Sequence, residues 1–372
     1  MRILFTSSIP YLPQIYGGLN TNTHELCVEL IKRGHQPSVL TRLSYGNAFG
    51  VWTLLRHRPR GLAVSCDHGF GYPVYRAREP WKVLDAIPRP DVAVLQDGHL
   101  PQFAAALKML DVPAVGYFHG LDFEDWTVQG RPARAADLPT IEYIANSEFT
   151  AERFRRRYHV EVHVIPPVFR PELYRTERTG RNVVFINPVR EKGVDLALAV
   201  AALCPQIPFI FVKAWPLRFD RYFRLIKRLW ALPNVRLVER RTDMREIFRQ
   251  CQILLVPSQW SRETWGRVAS EAQFSGIPVI GSDTGGLPEA IGPGGIIIDP
   301  WAPPEFWADA LRQLWSDEEL YLAKSRAAQT YSQRPQLNIE RQLDLLLAGL
   351  ERAVAGDGKA NSPATQSAVT RA

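Results

Sequence analysis

The chain has few cysteines, no long hydrophobic run and no cysteine pair at metal-binding spacing. Its four cysteines lie far apart in 372 residues, and none belongs to a C-x-x-C motif. We therefore expect reduced, mostly buried thiols rather than a disulfide framework or a zinc site. No window approaches the ~20 apolar residues of a membrane-spanning helix. Hydrophobic residues make up 46% and charged residues 22% of the sequence, which excludes a disordered or fibrous chain.

The amino terminus, MRILFTS, is apolar for only three residues before polar ones return. A signal peptide needs an apolar stretch of roughly 7–15 residues, so we expect a first strand and a cytoplasmic protein. The net charge is +7, from 45 Lys and Arg against 38 Asp and Glu. This excess suits an anionic ligand, an anionic membrane or nucleic acid, and a solvated basic surface explains it equally well.

Short β-branched or aromatic runs alternate with longer helical patterns along most of the chain. The candidate strands are 2–6, 37–41, 92–96, 114–118, 143–146, 162–165, 182–186, 209–212, 235–238, 253–256, 279–281 and 296–298. Several are apolar throughout, as in strands that are covered on both faces. The intervening helical patterns, clearest at 19–33 before Gly34, indicate parallel sheets built from βαβ units.

The two series of strands predict two Rossmann-like domains. We expect the first at 1–168, a linker rich in proline and charge at 169–181, and the second at 182–334. A C-terminal helix at 335–354 is expected to return to the first domain. Residues 355–372 have nothing to bury, so we expect a disordered tail.

The most informative segment is 257–292, PSQWSRETWGRVASEAQFSGIPVIGSDTGGLPEAIG. It begins at a strand end, passes Glu263 and enters a predicted helix, 264–275, which carries Glu271. Eight residues along a helix span about 12 Å, which suits the two ends of a nucleotide sugar better than a carboxylate pair acting on one bond. The Gly-Gly turn that follows can present backbone N–H groups to an anion. An ordinary βαβ unit with solvated glutamates is the alternative. The occurrence of both glutamates together with the Gly-Gly turn in one segment argues against it.

This segment resembles the signature of family 4 retaining glycosyltransferases. The family's E-x7-E motif matches Glu263 and Glu271, and its G-I-P-V-I and G-G-x-x-E segments match 276–280 and 285–289. The resemblance implies the GT-B fold, an α/β architecture of two Rossmann-like domains with parallel sheets facing across an interdomain cleft. It also implies that the first domain takes the acceptor and that the second binds the nucleotide sugar.

The resemblance assigns a role to each matched residue. Glu263 would contact the donor sugar, and Glu271 would accept hydrogen bonds from the ribose hydroxyls. The backbone N–H groups of Gly285, Gly286 and Leu287 would hold the sugar or the diphosphate.

A second motif, FINPVREKG, occupies residues 185–193. Here a strand gives way to a turn with two cations, Arg190 and Lys192, and cations beside a helix N-terminus suit a diphosphate. Lys192 matches the family pattern G-R-L-x-x-x-K-G, whereas Asn187 stands where the family has an arginine. Either Arg190 substitutes for that arginine, or Lys192 works alone.

The first half carries further candidates. Gly17 and Gly18 precede the first long helix; they are not part of a G-x-G-x-x-G motif, so no dinucleotide cofactor is indicated. They resemble the family's loop that approaches the donor phosphates, with a plain strand–helix turn as the alternative. His119 ends a strand, where polar groups reach the crevice, and matches the family's histidine beside the reacting centre; a packing role is the alternative. The pair 146–147 resembles the family's strand-end polar pair, and His99 lies on the acceptor side or on a surface loop.

Two basic segments lie outside these motifs. Four arginines fall within 153–157 on a predicted helix; the resemblance implies docking to an anionic membrane, and a solvated basic face is the alternative. Residues 218–228 alternate basic and aromatic side chains and predict a basic amphipathic helix of the second domain. No nucleic-acid motif accompanies it, so we expect no nucleic-acid partner.

Together these features predict a retaining glycosyltransferase that moves a sugar from a nucleoside diphosphate sugar to a hydroxyl, in polysaccharide, lipopolysaccharide or glycolipid assembly. Its predicted catalytic residues are His119, Glu263 and Lys192. No D-x-D motif follows a strand, so we expect no metal and no cofactor beyond the donor, with UDP favoured over GDP on family frequency. The acceptor is expected to present a hydroxyl, and a lipid-linked glycan at the inner face of the membrane is one candidate. A GT-B epimerase or a silent partner subunit, which Asn187 favours, is the alternative.

Overall fold

The structure is a computed structural model that describes residues 1–57, 63–96, 98–128, 130–134, 137–138, 142–215 and 217–356. Contacts within the chain divide it into two compact units. The first comprises Met1–Pro166 and the chain from Glu340 onward, and the second comprises Pro167–Ile339.

The first unit is built on an eight-stranded sheet. The strands of this unit, with a separate β7–β8 hairpin, are β1 (Arg2–Pro10), β2 (Gln36–Arg42), β3 (Ser65–Asp67), β4 (Val74–Ala77), β5 (Val92–Leu95), β6 (Ala114–Phe118), β7 (Thr127–Val128), β8 (Arg131–Pro132), β9 (Glu142–Ala145) and β10 (His163–Val164). The order across the sheet is β10-β9-β6-β5-β1-β2-β4-β3. Every neighbouring pair is parallel except β3, which runs antiparallel to β4.

The second unit is built on a six-stranded, all-parallel sheet in the order β13-β12-β11-β14-β15-β16. Its strands are β11 (Asn182–Ile186), β12 (Phe209–Lys213), β13 (Val235–Glu239), β14 (Cys251–Val256), β15 (Val279–Ser282) and β16 (Gly295–Ile298). The central strands are fully buried and apolar, because helices cover both faces of the sheet.

Most of the helices lie between strands along the chain, and the last three follow β16. They are α1 (Gly18–Lys32), α2 (Ala48–His57), α3 (Leu100–Met109), α4 (Glu148–Tyr158), α5 (Val194–Leu203), α6 (Phe219–Leu229), α7 (Arg245–Phe248), α8 (Arg267–Gln273), α9 (Leu287–Ile291), α10 (Pro304–Ser316), α11 (Glu318–Ser332) and α12 (Ile339–Ala355). Helix α12 is joined to the first unit: Gln342 Nε2 donates to Pro166 O at 2.9 Å, and Arg352 Nη2 donates to Glu142 Oε2 at 2.9 Å.

The predicted alternation of strands and helices is confirmed, since each of the twelve predicted strand segments overlaps a strand. The sequence analysis missed β3, β4, β7 and β8. These strands have two to four residues and lack a long apolar run, so periodicity alone does not reveal them. Three of the four cysteines are buried and Cys66 is exposed, and all four are free thiols.

Two boundaries differ from the prediction. Phe169 and Tyr174, within the predicted linker 169–181, are buried in the core of the second unit, because their rings pack against Phe274. The helix predicted at 264–275 begins only at Arg267, because Gly266 adopts a left-handed conformation with φ +81°. Glu263 therefore lies in a loop, and the 12 Å spacing along one helix is wrong. The predicted tail lies outside the described residues from residue 357 onward.

Each sheet has a topological switch point, where consecutive connections leave in opposite directions. In the first sheet it lies between β1 and β5, and in the second between β11 and β14. Loops that follow such strands diverge and leave a crevice at the carboxyl ends. Gly17, Lys192 and Glu263 lie on these loops, whereas His119 follows β6, Gly285 follows β15 and Glu271 lies on α8.

Candidate active-site residues in each unit

The switch point of the second sheet brings together two loops, 187–193 after β11 and 257–266 after β14. Lys192 Nζ contacts Glu263 Oε2 across them, and Ser258 Oγ donates to the same oxygen at 3.3 Å. Gly193 permits this approach: its φ is +79°, and a Cβ there would lie 1.8 Å from the carbonyl oxygen of Pro257. The two residues that the sequence analysis placed in separate motifs thus form one cluster.

The Lys192–Glu263 ion pair is largely withdrawn from solvent. Their side chains are 16% and 9% exposed. The ammonium group lies 5.5 Å from the ring centroid of Trp215 and 5.1 Å from that of Trp260. Two aromatic rings and partial burial lower the local dielectric, so this cation interacts more strongly with a neighbouring anion than an exposed lysine does.

The pair also retains bonding capacity. An ammonium group carries three donors, so Lys192 can bind Glu263 and a phosphate oxygen at once. Both contacts to Glu263 described above involve Oε2. The Oε1 atom of this carboxylate is therefore the one suited to accept a hydroxyl of a bound sugar.

Asn187 has a structural role at the position of the family's arginine. It adopts a left-handed conformation with φ +63°, which asparagine tolerates better than most residues. Its Oδ1 accepts a hydrogen bond from Trp215 N at 2.8 Å and so joins the loops that follow β11 and β12. Arg190 lies exposed on the short 3₁₀ turn Arg190–Lys192. Asn187 therefore positions Trp215 beside Lys192.

The Gly285-Gly286 turn packs directly on the Glu263 loop. Cβ atoms at these positions would lie 1.8 Å from Glu263 O and 2.0 Å from Thr264 O, so only glycine fits. The Gly286 N–H donates to Glu263 O at 2.8 Å, and the Leu287 N–H donates to Thr284 O at 3.1 Å. Two of the three N–H groups predicted to hold the donor thus already donate hydrogen bonds within the unit, one to the Glu263 loop and one within the turn. Their contact with the sugar or diphosphate stays a prediction.

Glu271 is buried on α8. Its Oε1 accepts from Arg267 Nε at 3.3 Å, one helical turn earlier. Arg267 is itself held by Val168 O at 3.0 Å and by the ring of Phe169, whose centroid lies 4.2 Å from the guanidinium carbon. The carboxylate is thus fixed by a cation that the surrounding core orients, and its contact with a ribose stays a prediction.

In the first unit, Gly17 and Gly18 begin α1. Gly17 is the N-cap residue in an extended conformation, φ −141° and ψ 168°, and Gly18 is the first helical residue. A Cβ at Gly17 would meet nothing within 4 Å. Neither backbone conformation nor crowding among the described residues requires glycine at position 17, in contrast to Gly193 and Gly285. Open space beside a helix N-terminus is where an anionic ligand can approach the backbone.

His119 follows β6 and takes part in a polar cluster. Its ring centroid lies 4.2 Å from that of Tyr117, and its Nε2 lies 3.3 Å from Gln96 Nε2. Gln96 is buried, and its Oε1 lies 3.0 Å from Thr23 Oγ1 on α1. If the Gln96 amide donates to His119, then Nε2 of His119 is an acceptor and its proton is on Nδ1. The sequence analysis missed Gln96 and Thr23; a polar residue that closes an apolar strand was the available signal.

Two other candidates of the first unit have structural roles. His99 stacks on Trp81 with ring centroids 4.3 Å apart and planes inclined by 15°. Ser147 caps α4, because its Oγ accepts from Thr150 N at 3.1 Å, and Asn146 Oδ1 accepts from Thr150 Oγ1 at 3.0 Å.

Two features are absent from the described residue ranges. No group of three or more His, Cys, Asp or Glu residues in those ranges is arranged to hold a metal ion. Over the same residues, no helix combines the length and the apolar character needed to cross a membrane.

Two family models match the chain in succession. The one described as Glycosyltransferase Family 4 matches residues 16–173, and the one described as Glycosyl transferases group 1 matches residues 178–331. The chain belongs to glycosyltransferase family 4. The first match includes Gly17 and His119, and the second includes Lys192, Glu263 and Glu271.

Solved structures of glycosyltransferases share the fold, which is GT-B. A glycosyltransferase from Rickettsia africae ESF-5 aligns with a TM-score of 0.72 and 14% identity over 95% of this chain and 98% of its own. HepE of Anabaena, solved in complex with UDP-glucose, aligns with a TM-score of 0.70 and 20% identity over 94% and 100%. The predicted GT-B fold is thus confirmed.

A curated relative is more similar in sequence over a shorter stretch. The D-inositol 3-phosphate glycosyltransferase of Corynebacterium glutamicum (strain R) is 38% identical over 42% of this chain and 44% of its own length. The chain spans about half the length of the curated relatives that it matches.

Proposed function

We propose that this family 4 glycosyltransferase transfers a sugar, with retention of anomeric configuration, from a nucleoside diphosphate sugar to a hydroxyl acceptor. The observation that carries the proposal is the partly buried Lys192–Glu263 pair at the switch point of the second sheet. A half-desolvated cation beside a carboxylate suits a ligand that combines a diphosphate with a hydroxyl-bearing sugar.

Each residue of the second unit then has a chemical task. Lys192 stabilises the charge that develops on the departing diphosphate, aided by the N-terminus of the ten-residue helix α5, which begins two residues later. Glu263 accepts a hydrogen bond from a sugar hydroxyl, and Glu271 accepts hydrogen bonds from the ribose hydroxyls. These groups supply the charge stabilisation that a divalent cation supplies in other transferases, so we propose a metal-independent reaction.

In the first unit, His119 contacts the donor sugar as a neutral hydrogen-bonding group held by Gln96. The acceptor oxygen attacks the anomeric carbon from the face that the diphosphate leaves. The bond to the diphosphate breaks as the new glycosidic bond forms, and the leaving diphosphate takes the acceptor proton. This route retains configuration without a covalent enzyme intermediate.

For the donor base we propose UDP over GDP. A structural neighbour bound UDP-glucose, which supports beginning the screen with UDP sugars. For the acceptor we propose a hydroxyl of a polysaccharide, lipopolysaccharide or glycolipid precursor, reached at the inner face of an anionic membrane. The name of the Corynebacterium relative supports adding an inositol phosphate to the acceptor panel.

The proposal is tested by incubating the full chain with labelled UDP and GDP sugars and following the products by NMR. We expect slow release of nucleoside diphosphate without acceptor, and an α-linked product from an α-linked donor when an acceptor is present. The Lys192→Ala variant provides the background rate. Donor binding without any turnover would identify a silent subunit, and conversion to an isomeric sugar without transfer would identify an epimerase.

A further inference from the structure

Helix α6 of the second unit exposes a stripe of aromatic side chains. Phe219, Phe223 and Trp230, just after its last turn, are 78%, 54% and 82% exposed. At about 100° per residue they lie within about 40° of one another on the helix surface. The rings of Phe219 and Phe223 are 4.3 Å apart, so they form a continuous apolar surface. Only Leu225 and Leu229 of this helix are buried in the unit's core.

Basic side chains occupy much of the remaining surface of α6. At about 100° per residue, Lys227 lies about 40° from the edge of the aromatic stripe, whereas Arg221 lies on the opposite side of the helix. The segment from Arg218 to Trp230 carries five Arg or Lys side chains against one carboxylate, Asp220. Arg224 pairs with Asp220, and Arg228 pairs with Asp195 on α5. Arg221 and Lys227 form no ion pair with any carboxylate in the described part of the chain. The helix therefore carries an excess of positive charge next to exposed aromatic rings.

Helix α4 is also basic, but carboxylates of its own unit neutralise most of its arginines. Arg153 pairs with Glu124 at 2.5 Å, Arg155 with Glu148 at 3.0 Å and Arg156 with Glu152 at 2.7 Å. Its aromatic residues Phe154 and Tyr158 are buried in the core of the first unit. Three of the four arginines that the sequence singled out for membrane contact are thus ion-paired, Arg157 lies over the Tyr158 ring, and α4 exposes no comparable aromatic stripe.

We propose that α6 is an interfacial helix through which the second unit docks on an anionic lipid surface. Its rings would enter the boundary between headgroups and acyl chains, and Lys227, at the edge of the aromatic stripe, would contact lipid phosphates. A second copy of the chain is a poorer occupant, because a two-fold contact would bring like charges together. This inference rests on the proposed function, because docking would bring the enzyme to a membrane-bound acceptor. Its test measures vesicle binding and does not depend on sugar transfer.

Vesicle sedimentation of the full chain tests the surface. We expect binding to phosphatidylcholine vesicles that contain phosphatidylglycerol, weakening steeply with salt, and little binding to phosphatidylcholine alone. Phe219→Ser/Phe223→Ser/Trp230→Ser should lower the partition constant at least tenfold. The matched control is Trp301→Ser/Phe306→Ser, two aromatics of the same unit that are 74% and 65% exposed; it should bind as the wild type does. Unchanged UDP affinity shows that each variant is folded.

Charge variants give a second, independent measurement. Lys227→Gln should lower binding to the anionic vesicles about fivefold. The control Arg156→Gln removes one cation from α4 and should leave binding within twofold. This pair keeps the proposal testable if the aromatic variant fails to fold.

Four results would overturn the proposal. The first is that the wild type does not bind the anionic vesicles, and the second is that binding is lost in the α4 variant but not in the α6 variants. The third is that the wild type is a dimer that the aromatic variant dissociates. The fourth is that the wild type binds a single-stranded oligonucleotide and does not bind vesicles. Transfer to a soluble acceptor in the absence of vesicles is measured in parallel. Activity there with no vesicle binding would refute the docking surface and leave the proposed function intact.

Discussion

The polar clusters at the two switch points differ in electrostatic character. In the second unit a charged pair, Lys192 and Glu263, is held in partial burial between aromatic rings. In the first unit, His119, Gln96 and Thr23 form a chain of hydrogen-bonding side chains. The same topology thus supports two chemistries, because the loops rather than the sheet supply the side chains.

The glycines differ in the same way. Gly193, Gly285 and Gly286 are required by the protein's own packing, since a Cβ at each would lie 2.0 Å or less from a backbone oxygen. Gly17 has no such requirement. The second unit is therefore preorganised by its own contacts, whereas Gly17 borders open space, where we propose that the ligand approaches the backbone. We assign the diphosphate chemistry to the charged cluster and hydroxyl recognition to the neutral one.

Lys192→Ala should break the charged cluster with the largest effect. A cation that stabilises the leaving diphosphate acts mainly in the transition state, so we expect kcat to fall about 10²–10³-fold while the donor KM changes less. The matched control is Lys213→Ala at the end of β12, whose ammonium pairs with Glu239 at 2.7 Å; we expect a change within twofold. Steady-state kinetics with varied donor gives both values, and equal losses in the two variants would remove the special role of Lys192.

Glu271→Ala should weaken nucleoside diphosphate binding next most strongly. A ribose loses a charged acceptor worth ~1.5–3 kcal/mol, which is about 10- to 100-fold in Kd. Arg267 remains anchored by Val168 O and Phe169, so the fold should survive. Calorimetry with UDP and GDP measures the affinity, and Glu305→Ala, an exposed acid on α10, serves as the control. Unchanged affinity in Glu271→Ala would exclude the ribose contact.

His119→Ala should have a smaller effect, because its contact with the sugar is a neutral hydrogen bond. We expect kcat/KM to fall up to about tenfold. The control is His99→Ala in the same unit, which removes a stacking contact with Trp81 and should leave kcat/KM within twofold. A fall of about 10³-fold in kcat/KM of His119→Ala would show that His119 is charged during the reaction. The two clusters would then not differ in electrostatic character.

Arg190→Ala should be milder still. This side chain is exposed, and solvent and salt screen its interaction with the diphosphate, so we expect kcat to fall about two- to fivefold. The same kinetic measurements distinguish the two alternatives raised by Asn187: either Arg190 substitutes for the family's arginine, or Lys192 works alone. A silent Arg190→Ala beside a severe Lys192→Ala would mean that Lys192 works alone, and two silent variants would place the diphosphate elsewhere.

Removal of metal should have the smallest effect. Because Lys192 and the α5 N-terminus supply the positive charge, we expect transfer rates in EDTA equal to those in Mg²⁺. A loss in chelator that Mg²⁺ or Mn²⁺ restores would contradict the assignment of charge stabilisation to the protein's own cluster.

Much of the fold could be predicted from local patterns. Apolar runs such as 182–186 are strands because both faces of a parallel sheet are covered. Helix α1 ends at Lys32, just before Gly34, because glycine adopts the left-handed conformation that closes a helix. The start of α8 could not be predicted in this way. Its residues favour a helix from Thr264, but the φ of +81° at Gly266 and the contact of that glycine with Leu287 delay it.

The sequence by itself determined the two series of strands, the family and the motif residues, because periodicity and short motifs are local properties of the chain. Only the tertiary structure decided which residues meet. The Lys192–Glu263 pair joins positions 71 residues apart, and Gln96 comes to His119 from a neighbouring strand. The structure also distinguished two basic helices of similar composition: α4 finds carboxylates on its own and neighbouring segments, whereas α6 leaves its aromatic rings in solvent. Ion pairing and burial depend on what packs against a helix, and composition does not record that.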